Sequence, residues 1–136
     1  VDGKLVQMVA EKIPFKNESV TNITVAFGVR NFYDIQEGFN SFYRTLKPKG
    51  KATIIEFTMP SNKIIKSIYS FYFKNILPVL GGIISGDKSA YTYLPDSVEE
   101  FDEKVNLEKL LTNSGFNEIK KYDFTFQTVQ VLIAQK

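Results

Sequence analysis

The sequence predicts an α/β fold, half of an open and largely parallel sheet, with an antiparallel hairpin at its C-terminal edge. Three observations predict it. Two short apolar runs, Ile23–Phe27 (ITVAF) and Ala52–Phe57 (ATIIEF), flank a stretch with helical periodicity. A connection of about twenty residues that holds a helix is how parallel strands are joined. The second run is apolar on both faces until Glu56, the habit of strands in parallel sheets. Finally, FNEIKKYDF and QTVQVLIAQK close the chain as two strands around a tight turn near Thr125, which predicts an antiparallel pair.

Each element follows in order. KLVQMVA has the alternating look of a strand end and starts almost at residue 1. EKIPFKNES is a loop, since Pro14 fixes one φ angle and Asn17–Ser19 favour a turn. Ile23–Phe27 suits a buried strand because β-branched side chains fit a pleated sheet, and the chain leaves it through Gly28. A helix is expected next. Asp34 is a good N-cap, and Glu37 sits three residues later as in a capping box. Phe39, Phe42, Tyr43 and Leu46 form its apolar face, and Pro48 and Gly50 stop it. After Pro60 one helix is expected to about Leu77, with Ile65, Ile68, Tyr69, Tyr72, Phe73 and Ile76 on its face. GGIISGDKSAYTYLPDSVEEF reads as a long irregular insertion. NLEKLLTNSGF reads as a helix with a Leu107, Leu110, Leu111 stripe, ended by Gly115. No internal repeat or low-complexity segment is present.

Composition narrows the chemistry. The chain has 136 residues, 43% hydrophobic and 24% charged, so one globular domain with a real core is expected. Seventeen basic residues against 15 acidic leave a net charge of +2, which gives no footprint for nucleic acid. With no Cys and no His, a disulfide framework, a thiolate nucleophile, a Ser–His triad and His-bound zinc are excluded within this chain. No metal site is expected. The aromatic content is high, 12 Phe and 7 Tyr without Trp, enough for core and for an apolar pocket. Ile64–Ile84 is the longest apolar region, but Lys66, Lys74, Asn75, Pro78 and two glycines interrupt it, against a membrane span. No signal peptide pattern opens the chain, so the expected location is cytoplasmic.

In open α/β sheets ligands sit beyond the carboxyl ends of the strands. Those ends carry Phe27, Gly28, Arg30 and Asn31 on one strand and Glu56 to Thr58 on the other. Glu56 therefore has two readings: a member of a site, or a structural partner of Arg30 or Lys51.

Specific motifs lie on this frame. RTLKPKGKATIIEFT is similar to a signature of the ubiquinone/menaquinone biosynthesis C-methyltransferases, with Arg44, Leu46, Lys47, Pro48, Gly50, Glu56 and Phe57 matching. Lys49 stands for a glycine and Thr58 for a serine. AEKIPFKNESVTNITVAFGVRN resembles the family's stretch ending in Phe-Gly-x-Arg-Asn, and YTYLPDS and LTNSGF resemble later blocks. The resemblance covers nearly the whole chain in order. It departs in two ways. No G-x-G-x-x-G occurs, and Val9 stands where the family usually has Asp or Asn before Ala-Glu.

The resemblance implies a Rossmann-like fold that uses S-adenosylmethionine. Residues 1–136 would be a partial methyltransferase domain lacking the N-terminal glycine-rich motif, a fragment beginning near the third strand that by itself is expected to be inactive and to bind the cofactor weakly or not at all. Residues 61–103 would be a substrate-side helical lid inserted in it. The implied activity is C-methylation of a prenylated hydroquinone: a phenol that loses its proton pushes charge onto the neighbouring carbon, which attacks the sulfonium methyl. Arg30 and Asn31 are the implied catalytic pair. Arg30 would stabilise the oxyanion, unless it is only an ion-pair partner of Glu56 or Asp34. Ala10 and Glu11 match the loop that meets the adenine, and Phe27 and Gly28 the strand end beside the methionine part. Gly28 has the alternative of a plain turn glycine. Tyr69, Tyr72, Phe73, Tyr91 and Tyr93 would wall the substrate, against a plain core role for each.

The implied partner is the prenylated quinol, not nucleic acid. Peripheral contact with the inner face of the membrane through Lys63, Lys66 and Lys74 is set against a solvated helix face. Self-association is expected if the strand at Ile23–Phe27 is an open edge. The alternative function is a truncated, non-catalytic interaction module of the same fold. A small-molecule O- or N-methyltransferase would need other residues in place of FGVRN and YTYLPDS.

Overall fold

The structure is a computed structural model that describes residues 3–79 and 94–136. It places a four-stranded sheet behind helices in the order predicted. The strands are β1 (Val20–Ala26), β2 (Leu46–Phe57), β3 (Asn117–Phe124) and β4 (Val129–Gln135), and the helices α1 (Ile35–Thr45), α2 (Lys63–Phe71), α3 (Leu94–Lys104) and α4 (Leu107–Asn113). The sheet order is β1-β2-β4-β3. β1 and β2 are parallel, while β4 is antiparallel to both β2 and β3. The parallel pair and the terminal hairpin are thus as expected.

Register decides which side chains share a face. Val25 lies opposite Ile54, which lies opposite Leu132, and Ile23 opposite Ala52, which lies opposite Ala134. With Phe39, Phe42 and Leu46 from the α1 region and Leu107, Leu111 and Phe116 from the α4 region, these make the core. The other face is different. Ile55, Val131 and Ile133 are only half-buried and lie outside the core cluster. The expectation of burial on both faces holds on one.

Local chemistry sets the ends of α1. The Asp34 carboxylate accepts from the Glu37 amide at 3.0 Å, the expected N-cap. The reciprocal bond comes from elsewhere. Glu11, not Glu37, accepts from the Asp34 amide, at 3.0 Å, while Glu37 accepts from the Asn40 side chain. α1 stops at Thr45, before Pro48 and Gly50 are reached, and β2 starts immediately at Leu46. Arg44 then pins the preceding loop by donating to the carbonyls of Ile13 and Phe15 and the Asn17 side chain, at 2.7, 2.8 and 2.8 Å.

Four further differences from the sequence expectations stand out. Residues 3–9 form no strand, since nothing among the described residues pairs with them, and Leu5, Val6, Met8 and Val9 are exposed. The helix after Pro60 changes at Tyr72–Ile76 to a π-helical turn, with Phe73 the one buried side chain of the two segments. The described end of the irregular insertion is the regular helix α3, with Pro95, Val98 and Phe101 inward. The β3–β4 connection is the expected tight turn, closed by the Thr128 amide on the Phe124 and Thr125 carbonyls at 3.1 and 3.2 Å, but its backbone is left-handed. Thr125, Phe126 and Gln127 all have positive φ, at 51, 58 and 65°.

Candidate active site

The carboxyl ends of β1 and β2 lie side by side because the strands are parallel, so Phe27–Asn31 and Glu56–Thr58 meet at one edge. A 3₁₀ turn, Val29–Asn31, turns the chain sharply after Gly28 and brings Arg30 back over β2. Arg30 Nη1 lies 2.7 Å from Glu56 Oε1, and the two side chains are only 7% and 0% exposed. The same nitrogen donates to the Phe27 carbonyl at 2.7 Å. Glu56 is further fixed by the backbone amides of Phe57 and Arg30, at 3.0 and 3.4 Å.

So Glu56 is the partner of Arg30. Neither Lys51 nor Asp34 competes in the described ion pairs. The buried guanidinium is not saturated, however. Arg30 Nε is buried and has no hydrogen-bond partner. Beside it, Asn31 is exposed.

An aromatic run leads away from this point. Phe27, at φ 55°, stacks on Phe57 with ring centres 4.3 Å apart, and the Arg30 guanidinium lies 5.7 Å from the Phe57 ring. Phe57 meets Phe73 edge-on at 6.0 Å, and Phe73 meets Tyr69 at 4.3 Å and Tyr72 at 5.9 Å. Of the predicted substrate residues, Tyr69, Tyr72 and Phe73 are therefore brought together next to Phe27 and Phe57. Tyr91 and Tyr93 lie outside the described residues.

The predicted adenine loop lies at α1's N-terminus, where Glu11 meets the Asp34 amide at 3.0 Å. Ala10 and Glu11 begin a short 3₁₀ turn, Ala10–Lys12. The Asp34 amide donates to the Glu11 carboxylate and holds it below the usual carboxylate range. That carboxylate is committed to the helix end, which leaves the backbone of the turn as the group able to meet a ligand. Gly28 has no steric need to be glycine. A Cβ there would meet nothing closer than 3.5 Å, and its φ is −127°. A methyl there would sit in ordinary van der Waals contact with Val25.

Sequence reasoning missed one polar link. The Thr58 hydroxyl donates to Asp102 on α3, tying that helix to the end of β2. The Val98 and Phe101 spacing marks α3 as a helix, but nothing in sequence pairs Asp102 with Thr58. Close by, the Tyr69 hydroxyl is buried without a partner, and burial with the Asp102 charge pushes it up to about 12. The lysines are also placed differently from a membrane-facing row. Lys66 lies 3.6 Å from Glu99, and Lys74 lies 3.5 Å from Asp96 and 3.6 Å from Glu99, both against α3.

A parallel pair with ligand-facing carboxyl ends, extended by an antiparallel hairpin, is the architecture of Rossmann-like S-adenosylmethionine-dependent methyltransferases. Solved structures of that class share it. The chain superposes on one from Aquifex aeolicus with a TM-score of 0.60 at 14% identity, covering 97% of this chain and 54% of the other. A second, from Thermotoga maritima, gives 0.61 at 14%, covering 96% and 63%. More narrowly, the chain belongs to the ubiE/COQ5 methyltransferase family, whose model matches residues 2–136. It is 43% identical over 127 residues to a demethylmenaquinone methyltransferase of Chlorobaculum tepidum, covering 93% of this chain and 52% of the relative. It is 40% identical over 136 residues to the ubiquinone/menaquinone biosynthesis C-methyltransferase UbiE of Geobacter sulfurreducens, covering 98% and 53%. The chain spans about half the length of the curated relatives it matches.

Proposed function

We propose that this chain supplies the substrate side of an enzyme that moves a methyl group from S-adenosylmethionine to a ring carbon of a prenylated hydroquinone. One observation carries the proposal. In a member of this family, the carboxyl ends of β1 and β2 place a buried guanidinium, an exposed amide and a run of aromatic rings at one point.

The residues present fit the cofactor. Backbone at Ala10 and Glu11 would meet the adenine, and Phe27 with Gly28 the methionine part. A partly exposed Phe27 ring suits a sulfonium cation, which an aromatic face attracts. S-adenosylmethionine, when bound, supplies the electrophilic methyl.

This chain's own residues do the rest by positioning and electrostatics. Arg30, held by Glu56, supplies a fixed positive charge that stabilises the phenolate as it forms. Asn31 orients the ring hydroxyl or a water beside it. Tyr69, Tyr72 and Phe73 hold the ring and its substituent. Residues 61–103 act as the lid, with Tyr91 and Tyr93 assigned to it by resemblance alone. A membrane-soluble substrate places the protein at the inner face of the membrane. There the exposed apolar side chains Ile64, Ile68 and Phe71 of α2 are better contacts than the lysines paired to α3.

β1 is an edge strand among the described residues, and an unpaired edge invites a second copy. Homo-oligomers are expected in light scattering at high concentration, and a strictly monomeric profile would count against them.

Transfer of labelled methyl from S-adenosylmethionine to a prenylated hydroquinone tests the proposal, with Asn31→Ala expected to lower the rate at least tenfold. Absence of both cofactor binding and transfer, in this chain and in a form lengthened to the span of its relatives, would favour the non-catalytic module instead.

A further inference from the structure

We infer that Phe32, seated on Gly38, is a positioning residue that ties the cofactor-side turn at Ala10–Lys12 to the turn carrying Arg30 and Asn31, so that the two hold one placement. The inference rests on the roles given to those turns above.

The two turns are far apart in sequence and meet at the N-terminal end of α1. One contact between them is polar: the Asp34 amide donates to the Glu11 carboxylate at 3.0 Å. The other is apolar and centres on Gly38. A Cβ at Gly38 would lie 2.7 and 2.9 Å from two ring carbons of Phe32 and 3.7 Å from the Ala10 Cβ. The Phe32 ring and the Ala10 methyl therefore share one bare patch of α1. Phe32 directly follows Asn31 and closes that 3₁₀ turn, its amide donating to the Val29 carbonyl at 3.1 Å.

Gly38 has no other reason to be glycine. It is buried within α1, its amide makes the ordinary helical bond to the Asp34 carbonyl at 2.9 Å, and its φ is not positive. Glycine weakens a helix interior relative to alanine. What the missing Cβ provides is room for the ring, since contacts below 3.0 Å are closer than carbon atoms pack. The ring cannot simply shift inward. It meets Phe42 edge-on at 6.0 Å, and Phe42 is a core residue.

The far end of the cofactor-side turn rests on the same helix, because the Ile13 amide donates to the Ser41 hydroxyl at 3.2 Å. α1 is thus a common base for both turns. In-line methyl transfer depends on the placement of the accepting carbon against the sulfonium, and small misplacements are costly. A shared base sets that placement before either ligand arrives.

Gly38→Ala, Phe32→Val and the two combined test the link. In this chain, without ligand, hydrogen exchange is read at the Lys12 amide of one turn and the Asn31 and Phe32 amides of the other. Gly38→Ala should speed exchange at both turns about fivefold or more, while the Ile54 and Leu132 amides keep their protection. Val lacks both ring carbons that the new methyl would meet, so the combined variant should restore slow exchange at both. Faster exchange at one turn only, at neither, or without restoration overturns the link. If Gly38→Ala also releases Ile54 and Leu132, Phe32→Val alone decides: faster exchange at both turns upholds the link, and at one or neither overturns it.

In a form lengthened to the span of the relatives, Gly38→Ala should raise KM for S-adenosylmethionine and lower kcat, each about tenfold, and the combined variant should recover both. A change in one constant alone overturns the link. A lengthened wild type that transfers no methyl takes down the functional reading, and with it the purpose of the link, whatever the exchange rates show. Transfer by the wild type with both constants unmoved in Gly38→Ala takes down the link alone.

Discussion

At Glu56 the sequence poses a question of energetics: an acid ends an apolar strand. It lies in the core because Arg30 returns over it. A buried pair is a poor source of net stability, but removing one partner leaves an uncompensated charge. Glu56→Gln and Arg30→Met should each cost about 3–5 kcal/mol in urea unfolding. A cost below about 1 kcal/mol for both would mean that the pair is solvated. Tyr69 gives a second test at this scale. Its hydroxyl is raised from 10.0 to about 12 by burial and then by Asp102. Below the unfolded value both states keep the proton. Between 10.0 and about 12 the unfolded phenol ionises while the folded one does not, so its contribution to stability is lost as pH rises through that window. Absorbance titration near 295 nm should show one tyrosine lagging the others, and Tyr69→Phe should remove the lag. Because the hydroxyl has no partner, that variant should keep or gain stability.

Among the elements, α1 shows how much sequence can and cannot say. Asp34 was legible as its N-cap, and Phe39 and Phe42 as its buried face, because caps and periodicity are local signals. The Glu11 bond to the Asp34 amide was not, since it joins residues 23 apart. Asp34→Ala should lower stability by about 1 kcal/mol, measured by chemical denaturation. A change of only a few tenths would mean that Glu11 alone holds the helix end. The same contrast recurs at the site. That Arg30, Asn31, Phe27 and Gly28 lie together after the end of β1 was legible from strand-end position and motif. Asp102 on Thr58 was not found, because pairing across 44 residues leaves no periodic mark. KLVQMVA had the alternation of a strand but lacked a partner, and pairing, not pattern, makes a strand.

For the molecule as a whole, the sheet explains where the proposed site lies. Its helix-covered face carries Ala52, Ile54, Leu132 and Ala134 and supplies the stable base. Its carboxyl edge carries the ion pair and the start of the aromatic run. Apolar residues on both faces of β2 read as double burial, yet Ile55 stays half-buried, because composition does not say what covers a face. The central claim is that cofactor and quinol meet at the ends of β1 and β2. The most direct measurement is an amide NMR titration of this chain with S-adenosylmethionine. Shifts concentrated at Ala10, Glu11, Phe27 and Gly28 are predicted. Shifts confined to the polar cleft lined by Asp102, Asn106 and Gln130 would contradict the claim.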